Sequence, residues 1–206
     1  MKKCSLFLLL CAICCFSVSN MKAQSFFSAR LGAVVANVNS TVNGVKIDTK
    51  SNLDLQIGIA LDLGIIPAFS IQPEITYLGR SYEADIVGVG VRQNFAYVDV
   101  GALAKLRFGA EDPIGAYIGA GPFLNYAISG TTKIGDLKES IDFVEDQVKR
   151  SDFSIATALG LTLNLANMGF FADVRYILGL GDIDESNDSE TKNRTIGITA
   201  GLMIPL

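Results

Sequence analysis

Residues 52–64, NLDLQIGIALDLG, place large apolar side chains at Leu53, Leu55, Ile57, Ile59, Leu61 and Leu63. Acidic, polar or small ones stand between them at Asp54, Gln56, Gly58, Ala60 and Asp62. A period of two is the signature of a β-strand with one apolar face. The pattern returns in seven further segments: Phe26–Asn37, Phe69–Arg80, Phe95–Phe108, Gly115–Ile128, Phe153–Ala166, Phe170–Leu180 and Thr195–Leu206. Each segment has at least the roughly 9–11 residues that a tilted strand needs to cross a bilayer, and eight strands are the smallest usual closed transmembrane barrel. The connections alternate too. Ile65–Ala68, Gly109–Ile114 and Asn167–Gly169 are short, whereas Val38–Ser51, Ser81–Asn94, Ser129–Asp152 and Gly181–Arg194 are long. Tight turns at one end and long polar connections at the other predict an all-β, up-and-down antiparallel barrel.

Residues 1–23 are read apart from this fold. A basic start at Lys2 and Lys3, an apolar run from Ser5 to Val18 and a polar stretch ending at Ala23 have the layout of a cleaved signal peptide, which predicts a single barrel domain over residues 24–206. All four cysteines, Cys4, Cys11, Cys14 and Cys15, fall in this cleaved segment, so no disulfide framework and no lipid anchor is expected in the mature chain. Removing Lys2, Lys3 and Lys22 from the 17 basic residues leaves 14 against 21 acidic ones. That balance offers nucleic acid no basic footprint.

Alternation alone does not say whether the apolar face looks inward, as in a soluble lipocalin-like barrel, or outward to lipid. The opposite face decides between them. A surface in bulk water fills with long charged residues, but the fifth, sixth and eighth segments carry Gly, Ala, Ser, Thr and Asn there. Small side chains suit a confined lumen into which other strands send a few large polar groups. Phe26, Phe27, Phe69, Tyr77, Phe95, Phe108, Tyr126, Phe153, Phe170 and Tyr176 gather near segment ends, as in interfacial aromatic girdles. The apolar face is therefore read as lipid-facing, and lipid of an outer membrane as the chain's surroundings.

With that orientation the inward charges are Arg30, Asp54, Asp62, Glu74, Arg80, Asp99, Lys105, Arg107, Asp173 and Arg175, five of each sign. Unpaired charges in a narrow lumen are costly, so a balanced set predicts a salt-bridged structural plug. The sharper alternative is a carboxylate pair formed by Glu74 and Asp99, placed near one height, for a proton, a cation or acid–base chemistry. Histidine is absent, and with no mature cysteine the Ser-His-Asp, Cys-His, zinc and haem chemistries built on those residues are excluded. No catalytic, metal or cofactor residues are assigned.

The acidic stretch GDIDESNDSETKNR at 181–194 supplies oxygen donors at Asp182, Asp184, Glu185, Asp188 and Glu190 but lacks the Gly and closing Glu of an EF-hand, so a solvated loop is expected over a calcium site. In KESIDFVEDQVK, Ile141, Val144 and Val148 recur at helical spacing, which predicts a short helix at the barrel mouth. The GAG of Gly119–Gly121 sits within a strand and is no dinucleotide motif.

Three stretches resemble the bacterial outer-membrane β-barrel families described as porin-like or PorT-like. They are YVDVGALAKLRFG at Tyr97–Gly109, GAYIGAGPFLNY at Gly115–Tyr126 and FFADVRYILGLGDI at Phe170–Ile183. The resemblance implies an outer-membrane location and no single activity, since such barrels serve structural, pore, adhesion and secretion roles. The expected function is structural or surface-interacting, without catalysis. The alternative is a transport or secretion component, either a small porin-like channel or an accessory that meets envelope proteins through the long loops.

Overall fold

A computed structural model describes residues 24–42, 45–47, 49–86, 89–135, 137–143, 149–181 and 189–206. Eleven strands appear in chain order: β1 (Phe26–Val42), β2 (Val45–Ile47), β3 (Thr49–Ser51), β4 (Leu53–Ile66), β5 (Phe69–Ile86), β6 (Val89–Phe108), β7 (Ile114–Ile134), β8 (Leu137–Ser140), β9 (Ser151–Asn164), β10 (Gly169–Gly179) and β11 (Ser189–Pro205). Eight of them, β1, β4, β5, β6, β7, β9, β10 and β11, pair antiparallel in sequence order, and β1 closes on β11 from Phe26↔Pro205 to Val42↔Ser189. The result is a closed eight-stranded up-and-down barrel. Closure leaves no strand edge to be satisfied in lipid.

Burial fixes the orientation of the alternating faces. Leu55, Ile57 and Ile59 are 62%, 53% and 51% exposed, whereas the charged Arg30, Glu74, Asp173 and Arg175 are all below 5%. A chain folded in water does the reverse. The same inversion holds around the wall, with Leu31, Ile75, Val100, Ile118, Leu159, Val174 and Ile198 outside and Gln72, Asp99, Lys105 and Thr199 inside. Exposed Phe108 and Phe170 mark the short-turn end, and exposed Tyr77, Tyr126 and Phe153 the other. Phe26 and Phe95 are not girdle residues: both are buried. Each shares the parity of its strand's inward set, with Ser28 and Arg30 on β1 and with Tyr97 and Asp99 on β6, so each points into the lumen.

The short turns use local chemistry. After β6, Gly109 takes φ of 63°, the left-handed conformation that glycine adopts without penalty, and its carbonyl accepts from the N–H of Asp112 at 3.1 Å. The stretches expected as long loops are mostly strand. Ser81–Ile86 and Val89–Asn94 continue the β5–β6 ladder up to Ile86↔Val89, and β7 runs to Ile134, where it pairs with β8. The expected helix gives way to strand at Lys138–Ser140, and its residues 144–148 lie outside the described residues. Of the acidic stretch 181–194, residues 182–188 also lie outside them, and the remainder from Ser189 onward belongs to β11.

Close packing inside the barrel explains its small residues. Tyr117, Phe123 and Phe171 lie directly across the ladder from Gly160, Gly101 and Gly201. A Cβ added at any of the three glycines would fall within 2.5 Å of the aromatic ring. Gly160→Ala is therefore expected to push Tyr117 aside and lose about 1–3 kcal/mol, as overpacking does. The urea midpoint of the folded, heat-modifiable band on gels measures it, with Gly90→Ala, where an added Cβ would meet only the end of the Glu83 side chain, as a comparison away from any ring.

Candidate functional site

The lumen is filled by apolar clusters toward both ends, with a polar network between them that shares its level with a third apolar cluster of Leu103, Tyr117, Phe123, Ala156 and Ala158. At the short-turn end Phe26, Phe171 and Met203 form a buried apolar cluster. Toward the other mouth Val34, Leu78, Phe95, Tyr97, Ala127 and Phe143 form a larger one, with Ile141 and Tyr82 packed on it. Phe143 follows β8 and folds back into the mouth, where the guanidinium of Arg150 lies 4.5 Å from its ring centre.

Between the two end clusters, inward positions of six strands converge. Arg30 of β1 donates from Nη1 to Glu74 Oε2 of β5 at 3.0 Å and from Nη2 to Asp173 Oδ2 of β10 at 3.4 Å. Arg175, two residues along the same face of β10, donates from Nη2 to Glu74 Oε2 at 3.0 Å and from Nη1 to Glu74 Oε1, while its Nε lies 3.4 Å from Asp173. Glu74 thus takes both arginines, and Gln72 donates to it as well at 2.8 Å. Tyr117 of β7 donates its hydroxyl to Asp173 at 2.7 Å. Two guanidinium groups and two carboxylates make this centre electrically neutral.

The chain of contacts continues toward the short-turn end. Gln72 Oε1 accepts from Lys105 Nζ of β6 at 2.8 Å, and Lys105 donates to Asp62 of β4 at 2.5 Å. The ammonium also stands 3.9 Å from the ring centre of Tyr117, so a single aromatic serves as hydrogen-bond donor and cation–π partner. Charge-assisted bonds of this kind are the strong ones, and they offset the cost of taking ions out of water.

Four of the ten expected residues stand away from this network's centre. Arg80 and Asp99 form a separate pair at 2.8 Å, with the Arg80 guanidinium 4.3 Å from the Tyr97 ring centre. Asp99 lies across from Thr76, and Glu74 across from Gly101, so the two carboxylates are one inward row apart rather than level. Each has its own cation, which corrects the placement of Glu74 and Asp99 as an adjacent pair. Asp54 is drawn away altogether. Above Gln56↔Leu78 the β4–β5 register slips by one residue to resume at Ser51↔Tyr82, and the Asp54 carboxylate fills the slip by accepting from the Ser81 N–H at 2.7 Å and its hydroxyl at 2.9 Å. Arg107 sits at the short-turn rim, donating to the carbonyls of Gln24 and Ile66, each at 3.2 Å, with Asp62 at 3.9 Å.

Gln72 and Tyr117 are integral to the network but carry no charge, so a census of charged residues passes over them. Their parity on the inward face was the available signal.

The outer membrane protein beta-barrel domain model matches residues 22–185, well over half of the 206-residue chain. The chain belongs to this family. It is an outer-membrane β-barrel, set in lipid by its apolar outer wall. Among solved structures, outer membrane protein OprG from Pseudomonas aeruginosa is 14% identical, with a TM-score of 0.55 over 92% of this chain and 99% of that one. Neisserial surface protein A is 16% identical, with a TM-score of 0.49 over 87% and 97%. Ail of Yersinia pestis is 17% identical, with a TM-score of 0.46 over 88% and 99%. At such identities the likeness to OprG speaks for the fold alone. No curated protein matches the sequence.

Proposed function

We propose that this barrel is a closed, non-catalytic scaffold of the outer membrane whose lumen charges are a structural plug, and that it acts through the strand hairpins extending from the end opposite its chain termini. The observation that carries the reading is the filling of the lumen, with ion-paired Arg30, Glu74, Asp173 and Arg175 between two apolar clusters. An ion crossing it has to break charge-assisted bonds inside a site of low dielectric and then pass packed aromatic rings. Glu74 and Asp99, the carboxylates that could serve acid–base work, are each ion-paired and buried. The absence of histidine points the same way.

The expected result in a planar bilayer is a flat baseline after insertion of the folded barrel. Stable single-channel steps from protein shown to be folded by heat-modifiable mobility would overturn the scaffold reading.

A second reading, an accessory that binds envelope proteins, is favoured by the tip of the β7–β8 hairpin. Ile134 and Leu137 pair there directly and are 46% and 74% exposed. An apolar pair held out in water offers an anchor for a protein partner. A pull-down in mild detergent with Ile134→Ser/Leu137→Ser as control tests it: a specific partner lost in the double variant supports the reading, and identical recovery with both chains removes it.

A further inference from the structure

We propose that the outer wall of the extended hairpins carries a docking row for the phosphorylated headgroups of anionic lipid in the leaflet around the barrel. The row is made by register. Lys50 of β3 lies across from Glu83 of β5, Glu83 from Arg92 of β6, Arg92 from Lys133 of β7, and Lys133 from Lys138 of β8. Register partners stand on one face of a sheet. The neighbouring position on the opposite face is occupied by Tyr82, which donates its hydroxyl to Gln93 across the same ladder at 2.5 Å and packs on the apolar cluster of the mouth. The row therefore faces outward.

Arg92, Lys133 and Lys138 are exposed, and among the described residues none closes an ion pair. Glu83, the one acid in the row, points toward Gly90, its Oε1 3.3 Å from where a Cβ would stand there. Like charges directly opposite each other destabilise a sheet, yet here three cations sit side by side on three adjacent strands. An anion that bridges them removes the repulsion.

Height selects the source of that anion. Toward the membrane the next outward residues are Asn94 and Thr131, and below them Ala96 and the exposed Ile128 end the apolar wall of β6 and β7. From Ala96 to Arg92 is about 13 Å of strand at about 3.3 Å per residue, or about 10 Å of height at a tilt of about 35–45°. Headgroups occupy the first ~5–7 Å beyond the hydrocarbon. Long Lys and Arg stems reach back that distance while the charged ends meet phosphate. A lipid whose phosphates stand on a sugar headgroup brings them closer still.

The test uses the full chain in phosphatidylcholine nanodiscs doped with diphosphorylated lipid A, with retained lipid counted by native mass spectrometry. Relative to the R92Q/K133Q/K138Q variant, the wild type is expected to hold the phosphorylated lipid about 10- to 100-fold more tightly at low salt, from the contribution each basic residue makes near an anionic surface. Raised salt should erase the difference. Dephosphorylated lipid A should bind both chains weakly. Equal retention by both chains, with heat-modifiable mobility confirming that both are folded, would overturn the proposal. Should the triple variant fail to fold, the wild type alone decides: no preference for the phosphorylated lipid over the dephosphorylated one defeats the docking row. Displacement of the lipid by soluble sucrose octasulfate at equal phosphate or sulfate concentration would show a soluble polyanion to be the ligand and overturn the membrane assignment.

Discussion

Glu74→Ala is expected to be the most damaging single change in the lumen, lowering stability by about 3–5 kcal/mol, the range for breaking a buried ion pair from one side. Glu74 accepts from Arg30 and, through both of its oxygens, from Arg175, and it accepts from Gln72 as well. Without it the two guanidinium groups are left with Asp173 alone, and the centre acquires a net positive charge within a wall of hydrocarbon. Glu74→Gln keeps the volume and one acceptor but leaves the same excess charge, so it should fall nearly as far. By contrast, the combined change Arg30→Met/Glu74→Leu/Arg175→Met/Asp173→Leu removes all four ionised groups together, leaving only the neutral Gln72 amide and Tyr117 hydroxyl without their acceptors, and is expected to recover much of the loss, because replacing a buried ionic group wholesale costs little. Urea titration of the refolded barrel, followed by gel mobility without heating, reads all three. A Glu74→Ala barrel as stable as wild type would refute the structural role of the network.

Ile59→Arg is expected to be the comparable injury on the outside, impairing insertion at a cost of about 2–4 kcal/mol near the bilayer midplane. Ile59 is about half exposed and lies across from Ile75, both on the outer wall. Ile57 lies across from Tyr77, a residue of the aromatic level, so Ile57→Arg should cost less, about 0–1 kcal/mol, as its charge snorkels to the interface. Gln56, beside Ile57 but on the inner face, donates to Thr199 at 3.2 Å. Gln56→Ala should cost about 0.5–1.5 kcal/mol, the worth of one hydrogen bond. The order Ile59, Gln56, Ile57 in refolding yield into lipid vesicles distinguishes depth in the membrane from mere side-chain loss; an order in which Ile57 and Ile59 respond alike contradicts it.

The number of strands, their parity and the direction of the apolar face were legible because the bilayer imposes a hydropathy difference on every second residue. Where the strands leave the hydrocarbon that difference vanishes. Ser81–Ile86 and Val89–Asn94 mix polar and apolar residues on both faces, so they read as loop although they are paired ladder. Phe26 and Phe95 were misplaced for a related reason: an aromatic near a strand end suits both a girdle and a lumen cluster, and only its parity distinguishes them. The lumen charges could be listed from parity, but not paired. Which inward residues meet depends on the stagger between non-neighbouring strands, and on irregularities such as the slip that turns Asp54 toward Ser81. No local pattern encodes either. Gln72 and Tyr117 show the cost of weighing charge alone, since an uncharged side chain can complete the valence of its charged neighbours.

The path of Arg30 has a consequence for assembly. Arg30 belongs to the first strand, yet one of its partners, Asp173, belongs to the seventh of the eight barrel strands, reached only across the junction of the first and last strands. Until that junction zips the bond between Arg30 and Asp173 cannot form, and Arg175 of the same strand is the one guanidinium beside Asp173. Closure thus completes the charge network. A half-made barrel lacks this ion pair as well as the pairing of its open edges, so the Arg30–Asp173 bond reinforces closure.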